Sequence, residues 1–261
     1  MSIIHFILLS FLGMFFLCSA TADERGERII RKAQDNTRAP HERKLLDIEL
    51  LKAGVVTNKR KMRYLFLLDG EVEKTLVKFT QPASIKNTAL LLHDRGTGEN
   101  KIWSYSPTNR RIRRISGALR RNYFMGTEFT YEDFEGYRIG SRRYQFIQEI
   151  DCASMAGCFV VDGFETEKTI LANTGYTKRR YILDKKTYYP IQIDFFNRAG
   201  EKCKTLTATG IKKIGQYYTP SVQHMNNIRE GRGTKFILLE VDNKTPRNAG
   251  EVSQLALRRE N

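Results

Sequence analysis

The sequence predicts a mainly β fold, an antiparallel meander of about a dozen strands with a few covering helices. Two observations carry this prediction. Short runs in which apolar and polar residues alternate with period two recur along the chain, and most are joined by short turns rich in Gly, Asn, Asp and Pro. In addition, 41% of the 261 residues are hydrophobic and 28% are charged, a balance that can close a core and argues against a disordered chain or a polytopic membrane protein.

The chain begins with an apolar segment that we expect to lie outside the fold. Residues 1–22 contain no Lys, Arg, Asp or Glu, and the apolar run from Ile3 to Leu17 is shorter than the roughly 20 residues that a spanning helix needs. The small residues Ala20 and Ala22 fit a signal-peptidase site. We therefore predict a signal peptide cleaved near Ala22, a periplasmic protein and one domain over residues 23–261. Retention of the segment as an anchor stays open, because it lacks an N-terminal Lys or Arg.

One amphipathic helix opens the predicted domain. Between residues 24 and 34, Ile29, Ile30 and Ala33 share a helical face, and Asp23 is a suitable N-cap. The pattern then changes to period two. The runs predicted as strands cover residues 43–51, 62–68, 72–80, 88–93, 101–106, 110–115, 144–150, 159–164, 177–183, 191–196, 205–213 and 235–241. A meander of that size curls into a barrel or half-barrel, since sheet twist accumulates and open edges are a liability.

Several predicted strands are apolar on both faces, as where Leu65 and Leu67 alternate with Tyr64 and Phe66. A single-layer soluble sheet is polar on one face. The second apolar face must therefore be covered by helices or line a cavity, and an ordinary core stays open as the alternative.

Two segments lack the strand pattern. Residues 117–140 are rich in Gly and aromatic residues and predict a long loop with a helical turn near residues 130–134. A loop of that length in a compact domain is usually functional or a lid. The polar tail predicts a short helix around residues 252–257.

Export allows disulfides, and the exported chain would keep Cys152, Cys158 and Cys203. Cys152 and Cys158 flank the turn of a predicted hairpin at a separation where a cross-strand bridge is feasible, and whether they are bonded stays open. Cys203 is expected to be a buried thiol. No paired Cys-x-x-Cys spacing exists and the His residues are scattered, so we predict no metal site.

The sequence contains no enzyme signature. It lacks a Gly-x-Ser-x-Gly elbow, a phosphate-binding Gly-x-x-x-x-Gly-Lys loop and a His-Glu-x-x-His zinc motif. The acidic pair Glu132-Asp133 is too common a pattern to indicate a glycosidase. We therefore predict a protein that is not an enzyme and that has no cofactor, while a secreted basic hydrolase remains a minor alternative.

The densest feature is an arginine cluster in a chain of net charge +15. Its members are Arg110, Arg111, Arg113, Arg114, Arg120 and Arg121. Arginine suits phosphate headgroups through bidentate contacts, so the cluster predicts contact with an anionic membrane surface. The alternative is a solvated edge strand whose charges block association. Nucleic acid is disfavoured as a partner by the predicted export.

One block of sequence resembles a known family. It runs from Trp103 to Ile115 (Trp-Ser-Tyr-Ser-Pro-Thr-Asn-Arg-Arg-Ile-Arg-Arg-Ile) and continues from Phe124 to Phe134 (Phe-Met-Gly-Thr-Glu-Phe-Thr-Tyr-Glu-Asp-Phe). It is similar to the outer-membrane lipoprotein-sorting family, exported bacterial proteins like LolA and LolB. The resemblance implies a half-open antiparallel β-barrel of about 10–12 strands that is capped by helices and holds acyl chains in an apolar concavity. It also implies that some relatives work beside inner-membrane transporters of the resistance-nodulation-division type.

We therefore predict a monomeric periplasmic carrier or chaperone for the acyl chains of a lipoprotein or for another lipid. This chain is longer and more basic than LolA, so another hydrophobic cargo fits equally well. One face of neighbouring strands supplies the candidate lipid-binding residues: Tyr64, Phe66, Val77, Phe79, Leu90, Leu92, Trp103, Tyr105, Ile193 and Phe195. The alternative from another class is an envelope-stress sensor or interaction domain with a LolA-like groove, as in RseB.

Overall fold

The structure is a computed structural model that describes residues 23–152 and 154–259. The predicted signal peptide lies outside the described residues. Helix α1 covers residues 23–37, α2 covers Lys168–Asn173 and α3 covers Gln254–Arg258. Within these ranges, no helix combines the length and apolar character that crossing a membrane requires.

Fifteen strands make up most of the described chain. They are β1 (His41–Lys52), β2 (Val55–Asp69), β3 (Val72–Gln81), β4 (Ala89–Asp94), β5 (Lys101–Ser106), β6 (Arg111–Ile115), β7 (Arg142–Ile150), β8 (Cys158–Glu165), β9 (Tyr176–Asp184), β10 (Pro190–Asn197), β11 (Lys202–Thr209), β12 (Lys212–Ile214), β13 (Tyr217–Thr219), β14 (Val222–Asn227) and β15 (Arg232–Asp242). Short 3-10 turns lie at Ala83–Ile85, Gly117–Arg121, Tyr131–Phe134 and Ala249–Val252.

Thirteen strands form one open antiparallel sheet. Its order is β6-β5-β4-β3-β2-β1-β15-β14-β11-β10-β9-β8-β7, while β12 and β13 form a separate hairpin. The sheet thus consists of two meanders that meet where β1 pairs with β15. It does not close into a barrel, because β6 and β7 lie at opposite edges. The predicted mainly β, LolA-like antiparallel fold is confirmed.

The prediction differs from the structure at several elements. Strand β2 begins at Val55, before the predicted start at residue 62. The predicted strand 205–213 is two strands, β11 and β12, separated at Gly210, whose φ of 64° ends the extended run. Strands β13 and β14 were not predicted, since their short polar sequences lack a clear alternation. Helix α2 was also not predicted.

The two faces of the sheet differ in chemistry. The inner face carries the main apolar core, which includes Ile48, Met62 and Phe79. Cross-strand ion pairs lie on the outer face, such as Lys61 with Asp47 at 3.6 Å. This division is expected for a single-layer sheet with one solvated face.

The chain crosses the inner face once, between the two edge strands. We call residues 116–141 the plug segment, because they leave β6 at one edge and reach β7 at the other. The Phe129 ring stacks on Phe236 of β15 with centroids 4.3 Å apart, and the Phe124 ring stacks on Phe79 of β3 at 5.5 Å. The predicted loop with a turn near residues 130–134 is therefore part of the core.

Helix α1 covers the inner face at the β7 end. Its buried Ile29 and Ile30 pack with Tyr144 of β7 and neighbouring side chains. Gly26 permits the close approach, since a Cβ atom there would lie 2.5 Å from the Tyr144 carbonyl oxygen. Together α1 and the plug segment leave a gap between them.

The C-terminal segment, residues 249–259, covers apolar residues of the outer face. Leu257 is fully buried in a cluster with Leu76 and Leu91. The Lys78 ammonium donates to the carbonyl oxygens of Ala256 at 2.9 Å and Arg259 at 2.7 Å. The second apolar patch on the strands is thus explained by packing against this segment.

Candidate lipid cavity

A cavity of about 260 Å³, the central cavity, lies between the inner face, the plug segment and the C-terminal end of α1. Its apolar wall comes from both meanders and from the plug segment. The apolar lining residues are Leu46, Met62, Phe66, Phe129, Phe134, Ile193, Phe195, Leu206, Met225, Phe236 and Leu238. An apolar wall with a few polar groups is typical of small-molecule sites.

Acidic residues of the plug segment bind bases of the sheet. Asp133 accepts a hydrogen bond from Lys204 of β11 at 3.0 Å, and Glu132 lies 3.9 Å from Arg179 of β9. Burial raises the pKa of the Glu132 carboxyl, and the Arg179 charge opposes that shift. Glu132 and Asp133, the adjacent acidic residues noted in the sequence, therefore fix the plug segment over the cavity.

The same pattern continues on both sides of these two pairs. Glu135 pairs with Arg120 and lies 3.6 Å from Arg142 of β7. At the other side, Glu128 accepts a hydrogen bond from Arg232 of β15 at 2.7 Å. The plug segment is held by charge pairs as well as by its aromatic side chains.

Uncharged polar groups also line the central cavity. Burial raises the pKa of the Tyr64 and Tyr137 phenols to about 12, so both stay uncharged into the alkaline range. The Thr219 hydroxyl is buried and has no hydrogen-bond partner among the described residues. These groups can bond an oxygen of a ligand.

The structure separates the candidate lipid-binding residues into three groups. Four of them, Tyr64, Phe66, Ile193 and Phe195, line the central cavity. Another four, Val77, Phe79, Leu90 and Leu92, lie on the same inner face but in the core with Phe124 of the plug segment. The remaining two, Trp103 and Tyr105, lie on the outer face with the C-terminal segment.

The outer position of Trp103 and Tyr105 corrects their assignment to the cavity face. In β5 they pair with Leu91 and Ala89 of β4, whose side chains pack with Leu257 on the outer side. Period-two alternation predicts that they share a face, but not which one.

The arginine cluster is mostly a surface feature. Arg110, Arg111, Arg113, Arg114 and Arg121 are exposed. Arg120 is the exception, since it is 1% exposed and pairs with Glu135. The Glu135 carboxylate raises the pKa of the Arg120 guanidinium, and burial opposes that shift. Arg120 is a structural residue of the plug segment and is not available to a membrane.

Cysteines occupy two environments. Cys152 and Cys158 are joined in a disulfide at the β7–β8 turn, with Cα atoms 5.9 Å apart. Cys203 is a free, half-buried thiol, and burial raises its pKa.

Several lining residues were missed from the sequence. Phe129 and Phe134 belong to a segment predicted as a loop, and Phe236 and Leu238 come from β15 at the far end of the chain. Strand β15 contains the apolar run Phe236-Ile237-Leu238-Leu239, which could have indicated a buried strand but not which of its faces lines a cavity. Its position beside β1 depends on long-range pairing that no local pattern carries.

Comparisons with known proteins place this architecture among solved folds. A family model described as "-like: Uncharacterized protein" matches residues 71–259. A domain from Vibrio parahaemolyticus named for outer membrane lipoprotein sorting is 28% identical, with a TM-score of 0.84 over 91% of this chain and 100% of its own. No curated protein matches the sequence.

Two more solved structures share the fold. A DUF1329 family protein from Desulfovibrio piger is 18% identical, with a TM-score of 0.83 over 90% of this chain and 99% of its own. A LolA superfamily protein from Nitrosomonas europaea is 15% identical, with a TM-score of 0.69 over 88% of this chain and 98% of its own. At these identities the likeness shows the fold alone.

Proposed function

The chain belongs to the family whose model matches residues 71–259, and its fold is LolA-like. From this premise we propose that it is an exported, periplasmic carrier or chaperone rather than an enzyme. It binds acyl chains of a lipoprotein, or another lipid, in the central cavity. The observation that supports this proposal is the largely apolar cavity between the inner face and the plug segment.

The size of the cavity bears on how cargo enters. Ligand pockets commonly measure about 300–1,000 Å³, so a cavity of about 260 Å³ is small for a complete acyl chain. Each CH₂ group that leaves water contributes about 0.8 kcal/mol. Burial of a long chain can therefore drive displacement of the plug segment or of α1, and release requires the reverse movement or a partner that binds the cargo better.

A pair of neighbouring leucines on β15 gives a direct test. Leu238 lines the central cavity, whereas Leu239 is exposed on the outer face. Protein purified gently from its own host is analysed by native mass spectrometry for bound lipid, and binding of the fluorescent probe N-phenyl-1-naphthylamine is measured. We expect Leu238→Asn to reduce both signals and Leu239→Asn to leave both unchanged.

The same measurements can contradict the proposal. Folded native protein that carries no lipid and binds no probe is not a lipid carrier. A stoichiometric protein partner recovered from the periplasm with an empty cavity favours the sensor alternative. A resistance-nodulation-division transporter as the partner belongs to the carrier proposal and is tested by the same recovery from detergent-solubilised inner membranes.

A further inference from the structure

We infer that the central cavity selects uncharged ligand groups: the part of the cargo held inside carries hydroxyl, ester or amide oxygens and no ionised carboxylate or phosphate. This inference rests on the proposed carrier function and adds the chemical class of the ligand. It follows from the charges of the lining and from a buried hydroxyl in it that has no hydrogen-bond partner among the described residues.

Each cationic side chain of the described lining already has a carboxylate partner. The four pairs are Arg38 with Glu73 at 2.7 Å, Lys44 with Glu42 at 2.7 Å, Arg142 with Glu165 at 3.2 Å and Arg179 with Glu132 at 3.9 Å. An anionic ligand would have to compete with these internal carboxylates for every one of the four cations. None of them is free to neutralise a headgroup.

The acidic lining residues belong to the same ion pairs. Glu42, Glu132, Asp133 and Glu135 all line the cavity and each is paired with a base, so the described lining offers an anion no unpaired positive charge. A buried charge without a counterion is strongly disfavoured. An ionised headgroup is therefore expected to remain outside the cavity, in water or at the exposed arginines.

Uncharged oxygen atoms, in contrast, find suitable partners. The Thr219 hydroxyl is buried without a partner among the described residues, and it can donate to a carbonyl oxygen or accept from an alcohol. The Tyr64 phenol also lines the cavity and is an uncharged group that can donate to a ligand oxygen. A neutral lipid can thus gain hydrogen bonds without paying for a buried charge.

Three ligands with the same chain length test the inference on the full-length exported protein. Displacement of N-phenyl-1-naphthylamine is measured at pH 8 with decan-1-ol, methyl decanoate and decanoate, which is ionised at that pH. We expect the affinities of the alcohol and the ester, obtained from this displacement, to be at least about tenfold higher than that of decanoate.

Two substitutions link the selectivity to the named residues. Glu42→Gln leaves the Lys44 ammonium without its partner inside the cavity, and we expect it to raise the affinity for decanoate relative to decan-1-ol about tenfold. Glu49→Gln is the matched control, because its partner Lys59 lies on the outer face. Circular dichroism establishes that both variants are folded.

A third substitution removes the free hydroxyl. Thr219→Val keeps the shape of the side chain, and we expect it to weaken decan-1-ol and methyl decanoate about three- to tenfold, the usual range for a lost hydrogen bond. Thr207→Val on the outer face of β11 is the control.

The outcomes separate this inference from the carrier proposal. If decanoate binds as tightly as the alcohol, or if Glu42→Gln does not change the preference, the selection for uncharged groups is wrong and the carrier proposal stands. If the folded protein binds neither the probe nor any of the three ligands, both are wrong.

Discussion

Buried charges are the main feature at the scale of single residues. Lys204 is almost fully buried and donates to Asp133 and to the Glu128 carbonyl oxygen, both of the plug segment, at 3.0 Å. A pair of this kind stabilises a fold only while both partners are present, since either charge alone is buried without compensation. The bases of the inner face therefore fix the position of the plug segment, and removal of either partner is expected to destabilise the protein.

We expect Lys204→Met to destabilise the protein by about 3–5 kcal/mol, the usual effect of removing one partner of a buried pair. Urea unfolding followed by circular dichroism measures the change. Adding Asp133→Asn removes the orphaned charge and should restore much of the lost free energy of unfolding. A double variant as unstable as Lys204→Met alone would show that the pair does not carry the effect.

Buried tyrosines predict the behaviour of the protein in alkali. Burial raises the pKa of Tyr64 and Tyr137 to about 12, above the ordinary value of 10.0. Between pH 10 and 12 the folded state keeps protons that the unfolded state loses, so the free energy of unfolding falls as pH rises through this window. We expect the tyrosinate absorbance of the buried phenols to appear together with loss of the circular dichroism signal.

A substitution assigns this alkaline transition to the cavity. Tyr64→Phe removes one of the groups that favours unfolding above pH 10, so its alkaline midpoint should move upward. Tyr218→Phe, on the β12–β13 hairpin outside the cavity, is the control. Equal midpoints in Tyr64→Phe and the unsubstituted protein would contradict the assignment.

At the scale of elements, the sequence predicted strands better than their surroundings. Strand β5 agrees with the prediction at both ends, because alternation and the flanking turn residues are local signals. The face that Trp103 and Tyr105 occupy is not local, since it depends on where the C-terminal segment packs. Arg120 was misassigned for the same reason: its partner Glu135 lies across the plug segment.

The C-terminal segment gives a test at this scale. Leu257 is fully buried against the outer face, whereas Leu255 of the same helix α3 is 64% exposed. We expect Leu257→Ala to lower the free energy of unfolding by about 2–5 kcal/mol, the usual effect of truncating a buried leucine. Leu255→Ala should change it by less than about 0.5 kcal/mol. Equal effects would show that the segment does not pack as described.

At the scale of the whole molecule, the fold depends on pairings between distant parts of the chain. Local alternation predicts a meander but does not show that β1 pairs with β15 or that β6 and β7 become the edges. These pairings create the inner face on which both meanders meet, and hence the central cavity. Four of the ten candidate residues line it, on β2 and β10, whereas the candidates on β3 and β4 pack with Phe124 of the plug segment and those on β5 lie on the outer face.

The sheet topology shows where part of the net charge of +15 is located. The exposed arginines lie on or beside β6, the edge strand, where like charges oppose edge-to-edge pairing of two copies and agree with the predicted monomer. The same charges are free to meet an anionic surface. The bases around the central cavity, in contrast, are occupied by carboxylates.

The edge arginines therefore predict salt-dependent docking on anionic membranes. Sedimentation with vesicles of phosphatidylcholine and 30 mol% phosphatidylglycerol measures it. Replacing Arg110, Arg111 and Arg113 with Gln should weaken binding to the vesicles about 100-fold, since each base near the surface contributes about 1 kcal/mol. Added salt should also weaken the binding of the unsubstituted protein, because it screens these charges. Glutamine at Lys212, Lys213 and Lys244 makes the same change in net charge elsewhere and should have a smaller effect. Equal loss in both triple variants would assign docking to net charge rather than to the β6 edge.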